Sequence, residues 1–283
     1  MHSFFNQPYP WMYKGKGLWI FGGAIFVMAL FFNFAFEPFN VYREEHRFSY
    51  FTLCLIQALI AAAISLCTMS LAGLFINDTQ WKVKKEAMLI LFLLILIGTG
   101  MFLGREIVYD NPDNFSAKYF WEELRNTSLV GSFFFMIFIP LNYRKLTRKH
   151  NFSASTLKLH NLPPHDKKGR TIKISTQCRT EDFYLNPEDL IYAKAEGNYL
   201  ELHIVFDNTF KRLVKRLTLK ELEQHLAPFP FIVRTHRSYI VNTNKVTKVS
   251  GNAQGYLLTT CYPLPKLPVS RSMIPGFNAR FSQ

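Results

Sequence analysis

Three cationic or imidazole side chains lie close together in the segment 231–242, which reads FIVRTHRSYIVN. Arg234, His236 and Arg237 interrupt a run that is otherwise rich in the β-branched and aromatic residues typical of strands. The pattern predicts a strand, a tight bend and a second strand, so that these side chains project from the fold. Guanidinium groups at such a bend can bond phosphates or the edges of bases. A solvated surface loop is the alternative interpretation of the same residues.

Short strands around a single helix are predicted to position this segment. Glu196, Gly197 and Asn198 form a turn signal between two alternating runs. Thr218 and Glu221 have the spacing of a capping box, which predicts the start of a helix. The predicted strands cover residues 171–175, 189–193, 199–206, 210–215, 231–233, 238–241, 245–249, 256–260 and 267–269. The C-terminal half is therefore expected to be mostly β, with one short internal helix.

The net positive charge of the chain lies in its second half. The net charge is +13, yet residues 1–141 hold ten basic and ten acidic residues and are neutral. Residues 142–170 hold eight basic residues and one acidic residue, and residues 171–283 hold fifteen and nine. Such a basic half favours a polyanionic partner, either nucleic acid or an anionic membrane surface.

The N-terminal half contains four apolar runs, at residues 18–36, 50–76, 87–103 and 128–141. About 20 apolar residues are needed to cross the hydrocarbon core, so residues 1–143 are predicted to form a four-helix transmembrane region. The runs as drawn contain no charged residue, which argues against an ion path and therefore against a transporter. The aromatic residues near their ends are expected to be interfacial anchors: Trp11, Tyr13, Trp19, Trp81 and Trp121.

Basic residues predict the orientation of these spans. They concentrate in the N-terminal tail, in the loop 77–86 and after the fourth span. By the positive-inside rule, both termini of this multi-pass protein are expected to face the cytoplasm. Residues 144–170 are predicted to be a basic flexible linker, and residues 171–283 a separate domain. The basic residues of the linker are also suited to contact anionic lipid.

No enzyme signature is present in the sequence. It lacks the GxGxxG, Walker, GxSxG and HExxH patterns, so we expect neither catalysis nor a cofactor. The four cysteines have no metal-ligand spacing, and no metal site is expected.

Residues 184–271 resemble the LytTR DNA-binding domain, the output module of many bacterial response regulators. The resemblance rests on the strand and turn at 189–199, the helix at 218–226 after a basic strand, the segment 231–242 and the late PVSRS at 268–272. In that family a receiver domain usually precedes the output module. In this chain apolar helices take its place, so the resemblance implies two-component-like signalling without a receiver.

The resemblance implies a strand-built fold that reads DNA through loops placed in successive major grooves. Its contact positions would be Asn198, the His236–Arg237 pair and Arg271. Arginine can bond a guanine edge and asparagine an adenine edge. Further candidates, for contacts to phosphates, are Arg234, Lys248 and Lys266. A turn residue at Asn198 and a surface ion pair at Arg271 are the alternative interpretations.

The sequence thus predicts a membrane-anchored transcriptional regulator that binds promoter DNA sequence-specifically. Its expected partners are double-stranded DNA and the lipid bilayer, with a second copy of the chain or a membrane sensor as further candidates. The alternative is a membrane-bound interaction protein that sequesters or inhibits a LytTR-type regulator.

Overall fold

The computed structural model describes residues 4–37, 43–76, 78–157, 171–176, 182–206 and 209–279. Within it the chain divides into two compact units, residues 1–143 and residues 144–283. The first unit is helical, and the second is built mainly of β-strands.

Four long apolar helices are present among the described residues of the N-terminal half, which confirms the predicted helical half. The helices are α1 (Lys16–Phe36), α2 (Tyr50–Phe75), α3 (Val83–Leu103), the short α4 (Arg105–Val108) and α5 (Ala117–Ser155). By length and composition, each of the four long helices could cross a membrane. The side chain of Ser49 caps α2 by accepting a hydrogen bond from the Thr52 amide at 3.3 Å.

Helix α3 begins at Val83, four residues before the predicted start of the third span, and so includes Glu86. The predicted run 87–103 itself contains no charged residue, and Glu86 lies in the first turn of the longer helix. Glu86 is fully buried, and its carboxylate accepts hydrogen bonds from the Tyr13 hydroxyl and, at 2.7 Å, from the Trp81 indole. A carboxylate can be buried at this site because these two donors replace water.

The same cluster corrects the expectation of interfacial anchors. Trp11, Tyr13 and Trp81 are buried, and the Trp11 ring contacts the other two edge-on at 4.9 and 5.3 Å. Trp19 and Trp121 are exposed, as anchors would be. The anchor prediction failed where the chain before α1 folds back onto the helices, since sequence alone does not show such a return.

Helix α5 is 39 residues long, about 58 Å at 1.5 Å per residue, and is much longer than the predicted fourth span. It includes Pro140 and continues to Ser155. The structure therefore differs from a flexible linker over residues 144–155. No Gly or Pro interrupts that segment, and Ala154 packs into the core of unit 2. Residues 158–170 of the predicted linker lie outside the described residues.

The described residues of unit 2 form three antiparallel sheets. Its strands are β1 (Ile172–Ile174), β2 (Phe183–Leu185), β3 (Leu190–Glu196), β4 (Tyr199–Phe206), β5 (Thr209–Lys215), β6 (Ile232–His236), β7 (Tyr239–Asn242), β8 (Val246–Gly251), β9 (Gly255–Thr260) and β10 (Leu267–Ser270). The strand orders are β5-β4-β3-β7-β6, β10-β9-β8 and β1-β2. The mostly-β prediction is confirmed.

Two short helices accompany the strands. Helix α6 (Leu219–Leu226) has the predicted capping box, in which Thr218 and Glu221 exchange bonds between side chain and backbone. Helix α7 (Ile274–Ala279) follows the last strand. The buried face of α6 covers one side of the five-stranded sheet, because its leucines share a core cluster with β3 and β4. Its core-facing residues are Leu219, Leu222 and Leu226.

Candidate nucleic-acid interface

The first candidate contact lies in the two-residue turn between β3 and β4. Gly197 has a φ of 60°, which a glycine adopts without strain, and Asn198 follows it with an exposed side chain. Before the turn, Lys194 forms an ion pair with Glu196. This hydrogen bond raises the pKa of Lys194 and lowers the pKa of Glu196. The negative charge nearest to Asn198 in sequence is thus paired.

The second candidate contact is the turn between β6 and β7, residues 237–238. Arg237 is exposed, whereas only 8% of His236 is accessible. The Ser238 amide donates to His236 Nδ1 at 3.2 Å, and the His236 ring lies edge-on to Tyr239 at 5.8 Å. His236 therefore closes the turn from inside, and Arg237 is the side chain that the turn presents to solvent.

Arg234 braces this turn from β6. Its Nη1 donates to Glu223 Oε2 on α6 at 2.9 Å. Its Nη2 donates to the Arg237 carbonyl at 3.1 Å, and its Nε to the His236 carbonyl at 3.4 Å. Planar guanidinium groups suit such multiple bonding. In the structure Arg234 supports the backbone around Arg237, and its predicted phosphate contact stays a prediction.

The strand register brings these two turns together. Lys194 on β3 pairs with Tyr239 on β7, and the Ala195 amide donates to the Ser238 carbonyl at 2.9 Å. The end of β3 that leads into Asn198 therefore adjoins the start of β7, immediately after Arg237. Asn198 and Arg237 lie at the same end of the five-stranded sheet.

The remaining predicted residues belong to the three-stranded sheet. Arg271 directly follows β10 and is half-buried, while Lys266 directly precedes β10. They are five positions apart, about 16 Å at 3.3 Å per residue, and lie at opposite ends of the strand. Lys248 is exposed on β8, opposite Thr259. The sheet thus spreads these three cations instead of clustering them.

Two residues important for the site's geometry were missed by sequence reasoning. Glu223 holds Arg234, and Lys194 pairs with Glu196 beside the first turn. The position of Lys194 near the end of a predicted strand was a usable signal. No signal in the sequence pointed to Glu223, because its partner lies on a different element, eleven residues later.

Comparison with known families covers the C-terminal part of the chain. The LytTr DNA-binding domain family matches residues 181–282. Residues 181–282 are a LytTr DNA-binding domain. The resemblance predicted over residues 184–271 is confirmed.

Two curated relatives match the LytTr domain. A response regulatory protein of Vibrio cholerae is 39% identical over 85 residues, covering 30% of this chain and 32% of the relative. The sensory transduction protein LytT of Oceanobacillus iheyensis is 27% identical over 112 residues, covering 39% of this chain and 44% of the relative. The chain thus spans less than half the length of either relative.

A solved LytTr DNA-binding domain from Bacillus cereus also matches the chain. It is 18% identical, with a TM-score of 0.31, over 40% of this chain and 97% of that one.

Proposed function

We propose that this chain is a membrane-anchored transcriptional regulator whose LytTr domain binds promoter DNA sequence-specifically. The family match over residues 181–282 carries the proposal, because it covers both turns that adjoin at the end of the five-stranded sheet. The response-regulator relatives support the regulatory role. The four long apolar helices support the anchoring.

Each candidate residue has a role in this proposal. Arg237 bonds a guanine edge and Asn198 an adenine edge in one major groove, since they occupy adjoining turns. Arg271, on the other sheet, contacts a separate part of the duplex. His236 positions Arg237 from inside the turn. Three further basic residues contact phosphates and so strengthen binding without reading the base sequence: Arg234, Lys248 and Lys266.

The proposed division of labour follows the chain. Residues 1–143 anchor the protein in the bacterial inner membrane with both termini in the cytoplasm. Residues 144–170 connect the membrane region to the C-terminal domain, and that domain, residues 171–283, binds DNA. Two copies of the chain on repeated half-sites, or a membrane sensor acting on the anchor, are the further partners in this proposal.

Arginine substitutions test the DNA contacts. In mobility-shift assays with promoter fragments, Arg237→Ala and Arg271→Ala should each weaken binding by about 1–3 kcal/mol, or roughly 5- to 150-fold. The matched control is Lys211→Ala, because β5 and β6 are the opposite edge strands of the sheet. Affinity should also fall steeply with salt, since phosphate contacts release counterions.

The outcome also separates the two candidate roles. If both arginine variants bind DNA with unchanged affinity, Arg237 and Arg271 do not make the assigned base contacts. A wild-type protein that binds no promoter fragment would favour the alternative, an inhibitor that holds another LytTR-type regulator at the membrane.

A further inference from the structure

Unit 1 contains a cavity of about 950 Å³ between its long helices. That volume is at the upper end of the range of small-molecule sites. One part of the cavity wall is apolar and the other part is polar. Its apolar part includes Met28 and Ala29 of α1, Leu94 of α3 and Phe134 of α5. Its polar part is formed around α4 and the chain that flanks it.

Arg105 is the central group of the polar part. Its guanidinium lies between the rings of Tyr109 and Tyr119, at 4.5 and 3.9 Å from their centroids. Its Nη1 donates to Glu123 at 2.6 Å. Only 5% of the residue is accessible, yet its Nε has no hydrogen-bond partner among the described residues. A buried charged donor without an acceptor is unfavourable, so a ligand that offers an acceptor would be stabilised at this site.

A pair of amide side chains, Asn33 on α1 and Gln57 on α2, belongs to the same polar part of the wall. Gln57 accepts from Asn33 and donates to Tyr109, both at 3.4 Å. Bonds of that length are near the limit of a hydrogen bond and are readily exchanged for closer ones. The cavity therefore has donors and acceptors at one end and an apolar wall beyond them.

The charges around the cavity are balanced. The three cationic lining residues face an equal number of carboxylates: Arg105, Lys118 and Arg125 against Glu45, Glu122 and Glu123. Burial, with Arg43 nearby, lowers the pKa of His46, which favours a neutral imidazole at pH 7. Burial raises the pKa of Tyr109 to about 12, so its hydroxyl keeps its proton. A ligand with a net charge would gain little in this field.

We propose that this cavity binds an uncharged amphipathic small molecule, with an apolar body against α1 and α5 and a carbonyl oxygen at the polar end, where the Arg105 guanidinium and the Asn33–Gln57 amides lie. The balanced charges select a neutral head, and the guanidinium and amide groups at the polar end select a hydrogen-bonding carbonyl. The site goes beyond DNA binding, and its occupancy can be measured without DNA.

The test uses the full-length chain in phosphatidylcholine vesicles and a diazirine-bearing palmitamide as the photoreactive probe. Labelling should saturate and should map to peptides of α1 and α5. Unlabelled palmitamide should compete at least about tenfold better than hexadecane, which lacks the acceptor, or than palmitate, which is charged.

Two variants locate the probe. Ala29→Trp fills the cavity and should reduce saturable labelling at least about tenfold. Ala24→Trp is the matched control, because Ala24 is an exposed residue of the same helix and does not line the cavity. Arg105→Gln should remove the preference for palmitamide over hexadecane.

Several results would overturn the proposal. Labelling spread over all lipid-facing peptides, or labelling unaffected by Ala29→Trp, would show bulk lipid contact only. Equal competition by hexadecane would show that Arg105 does not bind a carbonyl group of the ligand. Stronger competition by palmitate would show that the site does not prefer an uncharged ligand.

Discussion

At the scale of single residues, the turn that carries Arg237 depends on hydrogen bonds made by its neighbours His236 and Arg234. His236 accepts from the Ser238 amide inside the turn. Arg234 bonds the carbonyls of His236 and Arg237 and is itself held by Glu223. A base-reading arginine must be placed accurately, because bidentate bonding tolerates little displacement. The hydrogen bonds of Arg234 therefore act on Arg237 through the backbone.

Glu223→Ala should lower DNA affinity by a few-fold. A carboxylate near DNA repels phosphate, so a purely electrostatic role predicts the opposite result, tighter binding. A positioning role predicts weaker binding, because Arg234 loses its anchor and the turn loosens. Mobility-shift titrations at fixed salt distinguish the two signs. Glu188→Ala is the control, since it removes one carboxylate of the same domain without touching the brace.

His203 should make the stability of the C-terminal domain depend on pH. His203 stacks on Tyr192 at 4.1 Å, and its Nε2 lies 3.6 Å from Glu201. Burial lowers the pKa of His203, although Glu201 opposes the shift. The folded state therefore prefers the neutral ring, and the unfolded chain binds the proton more readily. As pH falls through the ordinary histidine value of about 6.5, stability should decrease; above it, this contribution should be fully present.

Urea unfolding of residues 144–283 at pH 7.5 and pH 5.5 measures this effect. His203→Phe keeps a ring against Tyr192 and should show a smaller loss of stability on acidification than the wild type. An identical loss in both proteins would assign the pH dependence to other groups.

At the scale of elements, α5 and the β8–β9 hairpin form a contact that the sequence did not suggest. Asn151 accepts from the Gly251 amide at 2.8 Å, and His150 Nδ1 lies 2.5 Å from the Asn252 carbonyl. The helix approaches so closely that a Cβ on Gly251 would lie 2.3 Å from the Asn151 nitrogen. Only glycine fits at that position.

Gly251→Ala should displace the end of α5 from the hairpin. Hydrogen–deuterium exchange of residues 144–155 should become faster, because backbone atoms would have to move apart to admit the methyl group. Gly276→Ala is the matched control, since a Cβ there meets nothing within 4 Å. Unchanged exchange in Gly251→Ala would mean that the helix end is held elsewhere.

The elements themselves were predicted with uneven success. The capped helix α6 and the alternating strands β3 and β4 were expected, because side-chain periodicity and the capping box are local signals. Strand β2 (Phe183–Leu185) was missed, since three residues are too few to show a period. The extension of α5 was missed because polar helix surfaces and polar linkers have similar compositions.

At the scale of the whole molecule, charge separates the two halves. The neutral apolar half has the composition of a lipid-embedded region, and the basic half that of a domain suited to a polyanion, as the proposed function requires. The proposed orientation places the loop between α2 and α3 in the cytoplasm and the loop between α3 and α5 on the other side.

Reporter fusions test this orientation. Alkaline phosphatase fused after Asp110 should be active, because the enzyme requires an oxidising, non-cytoplasmic location. Fusions after Lys82 and after Gln283 should be inactive, and green fluorescent protein at the same positions should give the reverse pattern. Activity after Gln283 would contradict the proposal, since a DNA-binding domain must reach the cytoplasm.

The sequence by itself determined the four apolar helices, the mostly-β C-terminal half and the LytTR resemblance, because each is carried by neighbouring residues. The tertiary structure decided the rest. It placed Asn198 beside Arg237, separated Lys266 from Arg271, buried His236 and drew Tyr13 and Trp81 around Glu86. These outcomes depend on contacts between residues far apart in the chain, and strand register and helix packing set such contacts only when the whole unit has folded.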